Sequence, residues 1–240
     1  MDRKTRIVSL QGARAEEAES DDFSAGEVLA DGVRIWLVQL PAYAALALLV
    51  HAPLLFLLLL PPLPGWLLLA VFGIVEIVVA LLVKAALVKA VLDAHRGLSS
   101  DFSELLEMLN KKAPAVLAVG LFILVRAAAK MLKLVLPGFV YLSDTVAAVP
   151  EVIEEGASPA KAVRRSEQLT RGARLPIFAI CAVSWTLAVA LMFASGLHKG
   201  GSLTGLTWMI VYLCSRSLDT SLAAVLSATA YRHLCQRPEA

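Results

Sequence analysis

The sequence predicts an all-α fold, a polytopic membrane helix bundle of about six transmembrane helices in three hairpins, with two short cytoplasmic amphipathic helices. Composition is the first reason, because 58% of the 240 residues are hydrophobic and 18% are charged. Soluble domains average about 45–50% apolar and about 25% charged residues. The second reason is a mean hydropathy of +0.73, since one soluble core of this length would hardly bury so much apolar surface.

The N-terminal segment is polar and differs from the rest of the chain. Residues 1–22 mix acidic and basic side chains and contain no long apolar stretch. A secretory signal peptide would place such a stretch directly after its first basic residues. We therefore expect a disordered cytoplasmic tail over 1–22, one transmembrane domain over 23–235 and a short C-terminal tail over 236–240.

Helix-start signals and apolar stretches predict the order of the membrane spans. Ser24 and Glu27 form the S-x-x-E pattern of a capping box, which opens a helix that leads into the first span. Pro-rich and Gly-rich turns are expected at 61–65 and 198–202. The spans are predicted at 35–60, 66–92, from 114 onward, 139–153, 175–197 and 205–231.

The segment between residues 113 and 153 allows two interpretations. It is long enough for a hairpin of two spans, and Pro150 is expected to break the second of them. A re-entrant pair of half-helices is the alternative. Lys130 and Lys133 are relevant here, because the two-span form places both at the outer end of the third span.

Two polar segments carry the pattern of amphipathic helices. Residues 99–112 repeat apolar side chains at helical spacing, with Ser100 or Asp101 as the N-cap. Ser158 followed by Pro159 is typical of a second helix start. Most Lys and Arg residues lie in the tail, in these two segments and at the C-terminus, so the positive-inside rule places both termini in the cytoplasm.

Three stretches resemble a known group of membrane proteins. They are FSAGEVL at 23–29, LPGFVY at 136–141 and EEGASPAKAVRRSEQLTRG at 154–172. The pattern is similar to the YciC-like bacterial inner-membrane proteins and to the membrane domain attached to some glycerophosphoryl diester phosphodiesterases. The resemblance implies a six-span protein of the bacterial inner membrane. It implies no enzyme, because the phosphodiesterase catalytic barrel is absent.

Charged residues inside the predicted spans are the strongest candidates for a site. Each costs at least about 2.5–3.5 kcal/mol at the centre of a bilayer, so such groups usually face the bundle interior and pair. Glu76 and Arg216 each lie eleven positions after a predicted outer turn, and Arg126 and Asp144 lie nine positions on either side of Val135. We predict one buried network of intramembrane charges, formed by Glu76, Arg126, Asp144, Arg216 and Asp219.

This network has two possible roles. It either keeps the spans in register, or it forms a polar pathway or a site for an anionic or zwitterionic ligand. The other lysines of the spans are expected to extend to lipid headgroups; these are Lys84, Lys89, Lys130 and Lys133.

The loop after the fourth span carries a group of basic residues. They are Lys161, Arg164, Arg165 and Arg171, which we expect to contact anionic lipid headgroups. The alternatives are an ordinary cytoplasmic loop, or a brace in which Arg165 and Ser166, beside Glu154 and Glu155, hold this loop against the fourth span.

No pattern of a catalytic, metal or cofactor site is present in the sequence. There is no H-x-x-x-H, H-E-x-x-H, P-loop, GxGxxG or GxSxG motif. A net charge of +2 gives no reason to expect nucleic acid as a partner. The expected partners are membrane lipids and other membrane proteins or further copies of the chain. The expected function is non-catalytic, in envelope or lipid homeostasis or membrane-protein assembly; the alternatives are a small transporter or channel and an intramembrane enzyme acting on lipid.

Overall fold

The computed structural model describes residues 23–51, 54, 64–98, 101–197 and 205–236. The expected tail over 1–22, the turn at 198–202, most of the turn at 61–65 and most of the C-terminal tail lie outside the described residues, as does most of the first span beyond His51. The described part of the chain consists of helices joined by short turns and contains no strand.

Eight helices make up the described part of the chain. They are α1 (Ala25–His51), α2 (Gly65–His95), α3 (Phe102–Met131), α4 (Val135–Asp144), α5 (Ala148–Glu155), α6 (Pro159–Leu169), α7 (Arg174–Leu197) and α8 (Gly205–Cys235). Two of the predicted caps are present: Ser24 Oγ accepts a hydrogen bond from Glu27 N (3.3 Å), and Asp101 Oδ1 accepts one from Phe102 N (2.9 Å).

Five segments are long and apolar enough to cross a membrane, as a multi-pass membrane protein requires. They are Ala25–His51, Ala70–His95, Phe102–Met131, Val135–Glu155 and Arg174–Leu191. The last helix, α8, has 31 residues but also carries Arg216 and Asp219 near its middle. It contacts α1, α2 and α7, so it lies among the apolar helices.

The predicted boundary between an amphipathic helix at 99–112 and a span from Pro114 is wrong. Residues 102–131 form one continuous helix with Pro114 inside it. A proline inside a helix costs about 3 kcal/mol, because it lacks an N–H group and crowds the preceding turn. Buried residues on both sides of Pro114, among them Leu105 and Val116, offset this cost by packing into the protein interior.

The break in the predicted fourth span is present, but it lies before Pro150. Helix α4 ends at Asp144, residues 145–147 form a turn, and α5 begins at Ala148. Pro150 is the third residue of α5, where a backbone N–H has no partner within the helix. Pro150 is thus accommodated in α5 and does not cause the break. Side chains stabilise the break instead, including Thr145, whose Oγ1 donates to the Tyr141 carbonyl oxygen (3.0 Å).

The packing of the helices places α2, α3, α4, α7 and α8 in a closed ring. Each helix contacts the next in the order α2, α3, α4, α7, α8, and α8 contacts α2 again. Helix α1 packs against α8 and α2, and α5 packs against α2, α3 and α6. The main apolar core includes Val83, Val119 and Val225. The site described next joins α2 to α8, two adjacent helices of this ring.

Candidate functional site

Three of the five predicted network charges meet between α2 and α8. Arg216 Nε donates to Glu76 Oε1 (2.8 Å), and a terminal guanidinium nitrogen of Arg216 donates to Asp219 Oδ2 (2.7 Å). We call these three residues the central charge cluster. Glu76 and Arg216 each lie eleven residues after the first residue of their helix, α2 or α8. Because these two helices are adjacent, the two side chains lie at the same depth.

The central charge cluster lies among aromatic and apolar side chains. Glu76 is 8% exposed, and Arg216 is partly buried. Tyr212, one helical turn before Arg216, interacts with both members of the pair, and its ring lies 5.7 Å from the ring of Phe72. Charge-assisted hydrogen bonds of this kind are about twice as strong as neutral ones. The cluster therefore joins α2 to α8 by a polar contact inside an apolar bundle.

The predicted pairing of Arg126 with Asp144 is wrong. The guanidinium of Arg126 lies over the Phe122 ring at 4.4 Å from its centroid, and Asp144 Oδ1 lies 3.2 Å from Arg174 Nε. The turn between α3 and α4 is centred near Lys133 rather than Val135. Arg126 is thus seven positions before the turn and Asp144 eleven after it, an offset of about 6 Å along the helices.

The ion pair of Asp144 belongs to a polar brace between α4, α6 and α7. Ser166 Oγ donates to the Asp144 carbonyl oxygen (2.8 Å) and accepts from Ala147 N (3.1 Å). Arg165 Nε lies 3.8 Å from Glu151 Oε1 on α5. Ser166 therefore joins the two sides of the break as expected, and it satisfies backbone groups that the break after α4 leaves without helical partners. The expectation for Arg165 is corrected, because it contacts Glu151, one helical turn before the expected Glu154 and Glu155.

A second group of polar contacts ties the residue after α2 and the N-terminal half of α3 to α5. Arg96 donates to Glu154, and Lys112 donates to the carbonyl oxygen of Ile153. The hydrogen bond to Glu154 raises the pKa of Arg96 above its ordinary value, and the negative charge of Glu154 acts in the same direction. Both contacts satisfy groups at helix ends and hold α5 against the bundle.

The basic residues between 161 and 171 lie on the outer face of α6 and just beyond it. Lys161, Arg164 and Arg171 are exposed, while Ala162 and Val163 are buried on the opposite face of α6. Arg165 is also exposed, but it contacts Glu151 as described above. The described contacts thus assign Arg165 to the brace and place the other three side chains at the surface.

The lysines that were expected to extend to headgroups have different surroundings. Lys89 pairs with Asp93 one turn further along α2, and Lys130 Nζ lies over the Tyr141 ring at 3.9 Å from its centroid. Lys133 is exposed. Lys84 instead faces an internal cavity, so the expectation is wrong for this residue.

The cavity next to Lys84 has a volume of about 260 Å³, and it is lined by residues of α2, α3, α4, α5, α7 and α8. Its walls are mainly aliphatic, with Cys181, Ser184 and Ser227 among the polar residues. In the sequence, the feature that points to this cavity is a lysine, Lys84, inside a long apolar stretch. Lys84 lies eleven residues before the end of α2, between apolar stretches that are buried in the bundle, and so is far from any headgroup region.

The described residues contain no cluster of three or more His, Cys, Asp and Glu side chains that could hold a metal ion. The charged residues described above form ion pairs within the bundle, and Lys84 places a cationic group at a cavity. No protein-family model, curated protein or solved structure matches this chain.

Proposed function

We propose that the chain is a non-catalytic, multi-pass protein of the bacterial inner membrane, with a supporting role in envelope or lipid homeostasis or in membrane-protein assembly. The contact of Arg216 with both Glu76 and Asp219 carries this proposal. A guanidinium bound by two carboxylates between two helices stabilises a particular packing of those helices. Because the Arg216 guanidinium already binds two carboxylates, it is poorly suited to bind and release a ligand.

The proposed topology has six spans, with α4 and α5 together as the fourth and α8 as the sixth. The segment Val135–Glu155 has 21 residues, about 31 Å of helix, which suffices for a hydrocarbon core of about 30 Å. Helix α8 has 31 residues and packs among the apolar helices. The exposed basic residues Lys161, Arg164 and Arg171 then lie in the cytoplasm with both termini, where they contact anionic headgroups.

Transport through the central charge cluster is the alternative function. It requires a hydrated path that reaches the paired charges. The cavity described above is lined by Lys84 but by neither Glu76 nor Arg216. This separation favours the non-catalytic supporting role.

Charge reversal tests whether the central charge cluster holds the bundle together. Glu76→Arg and Arg216→Glu are each expected to lower the thermal unfolding midpoint of the purified protein in detergent. Removal of one partner of a buried ion pair costs about 3–5 kcal/mol, because the other charge remains buried. The double variant restores the opposite signs and is expected to recover most of the loss.

The exposed pair Glu107–Lys111 on α3 provides a matched control. Glu107→Lys and Lys111→Glu, which reverse charges in water, are expected to leave the midpoint unchanged. If Glu76→Arg and Arg216→Glu also leave the midpoint unchanged, or if the double variant is no better than the single ones, the structural role of the cluster is refuted.

A further inference from the structure

Lys84 is a cationic group inside the bundle without a hydrogen-bonded or ion-paired partner among the described residues. The negative charge of the Asp219 carboxylate acts on Lys84. This carboxylate already accepts a hydrogen bond from Arg216 (2.7 Å). A lysine inside a membrane protein is costly unless an anion compensates its charge. Among the described residues no side chain makes a direct ion pair or hydrogen bond with Lys84, so its ammonium group is available to an anion in the cavity.

The cavity that Lys84 faces combines apolar walls with a few polar groups. Its walls include Leu81, Ile123 and Leu226, and Ser184 and Cys181 of α7 lie in the same cavity as Lys84. Ligand sites in proteins commonly have this composition, with mainly apolar surface for binding and few polar groups for orientation. A fully polar ligand would leave these apolar walls without a partner.

The cavity also reaches the outer surface of the bundle. Ile77 on α2 and Leu124 on α3 both line it, and their side chains are 41% and 42% exposed. In the proposed topology this surface contacts the acyl chains of the bilayer. A ligand can therefore enter from the membrane between α2 and α3.

We propose that this cavity binds a single-chain amphiphile with an anionic headgroup, of the fatty-acid type. The carboxylate lies at the Lys84 ammonium group, and the acyl chain lies along the aliphatic walls. The cavity volume of about 260 Å³ is slightly below the range of about 300–1,000 Å³ that is usual for ligand sites, and it favours one chain over the two of a phospholipid. This site goes beyond the supporting role proposed above and does not depend on it.

Direct binding to the full-length protein in detergent tests the proposal. The probes are tritiated palmitate, hexadecyl phosphate, neutral hexadecanol and inorganic phosphate. Palmitate is expected to bind at least about tenfold more tightly than hexadecanol, because a hydrogen bond between charged groups contributes about 1.5–3 kcal/mol. Hexadecyl phosphate is expected to compete with palmitate, and inorganic phosphate is not.

Three variants localise the binding. Lys84→Met removes the cation and is expected to weaken palmitate binding at least about tenfold. Ala223→Phe fills the cavity from α8 and is expected to weaken it while Lys84 is retained. Lys111→Met, which removes an exposed cation on α3, is expected to leave binding unchanged.

Several results would overturn the proposal. They are an absence of palmitate binding to the unmodified protein, equal affinity for hexadecanol, and unchanged palmitate binding in Lys84→Met or in Ala223→Phe. The comparison of palmitate with hexadecanol uses the unmodified chain, so it remains decisive even if a variant fails to fold. All three variants keep Glu76, Arg216 and Asp219, so a loss of palmitate binding is distinguishable from a failure of the charge-cluster role, which is measured by charge reversal at Glu76 and Arg216.

Discussion

At the scale of single residues, the protein uses charged groups in two different ways. In the central charge cluster, Arg216 donates a hydrogen bond to one oxygen of each of two carboxylates. At Lys84 the charge faces a cavity and has no such partner among the described residues. The first arrangement is suited to stabilising helix packing and the second to binding an anion.

Ser166 provides a test of the polar brace. Its hydroxyl bonds both Asp144 O and Ala147 N at the break between α4 and α5. Ser166→Ala leaves both backbone groups buried without this partner, so we expect a loss of about 1–3 kcal/mol in stability. The measurement is the thermal unfolding midpoint in detergent.

Ser158 offers the control for this substitution. It precedes α6 at the N-cap position but makes no side-chain capping hydrogen bond. Ser158→Ala is therefore expected to change the midpoint far less than Ser166→Ala. Equal effects of the two substitutions would show that the Ser166 hydroxyl does not stabilise the break.

At the scale of helices, α1 and α8 pack closely where α1 lacks a side chain. A Cβ atom added at Gly32 would lie 2.8 Å from Leu226 Cδ2, and Leu226 is itself buried. We expect Gly32→Leu to lower stability by about 1–3 kcal/mol, because extra carbon atoms in a packed interface force the helices apart. The thermal midpoint in detergent measures the effect.

Gly73 on α2 is the matched position for comparison. A Cβ atom there meets no described heavy atom within 4 Å. Gly73→Leu is expected to be neutral or stabilising, since leucine favours a helix by up to about 1 kcal/mol over glycine. A Gly32→Leu protein as stable as Gly73→Leu would contradict the close α1–α8 contact.

The α3–α4 turn tests the six-span topology. Helix α4 has ten residues, about 15 Å, so α4 alone covers only half of the hydrocarbon core. If α5 completes the span, Lys133 lies at the outer face. A chain with its three cysteines replaced and Lys133→Cys added is then expected to react with a membrane-impermeant maleimide from outside.

Gln168→Cys is the control for orientation, because residue 168 is exposed on α6. It is expected to react only after the cytoplasmic side is opened to the reagent. If Lys133→Cys does not react with the maleimide added from outside, the six-span topology is contradicted. That result favours the re-entrant pair of half-helices, in which the turn stays within the membrane.

Helix identity follows from the sequence better than helix boundaries do. Long apolar stretches predict α2 and α7, because lipid requires backbone hydrogen bonds to close within each helix. The continuity of α3 through Pro114 is not predictable from local signals, since packing on both sides of the proline decides it. The turn at 145–147 likewise depends on Ser166, which lies 19 residues further along the chain.

At the scale of the whole molecule, the candidate site is only partly predictable. Equal spacing from the helix ends predicts the contact between Glu76 and Arg216, because α2 and α8 are regular and adjacent. The same reasoning fails for Asp144 and Arg126. The turn between α3 and α4 lies two residues earlier than expected, so these two residues are at different heights along the adjacent helices. The cavity at Lys84 is lined by residues of six helices, so no single stretch of sequence encodes it.

The central claim is that these helices lie in a lipid bilayer and are joined there by the central charge cluster. Extraction of cell membranes with alkaline carbonate tests the first part of this claim most directly. We expect the full-length chain to stay in the membrane pellet and to enter solution only with detergent, because its apolar helix surfaces require hydrocarbon. Recovery of the chain as a monodisperse protein in detergent-free buffer would contradict the claim.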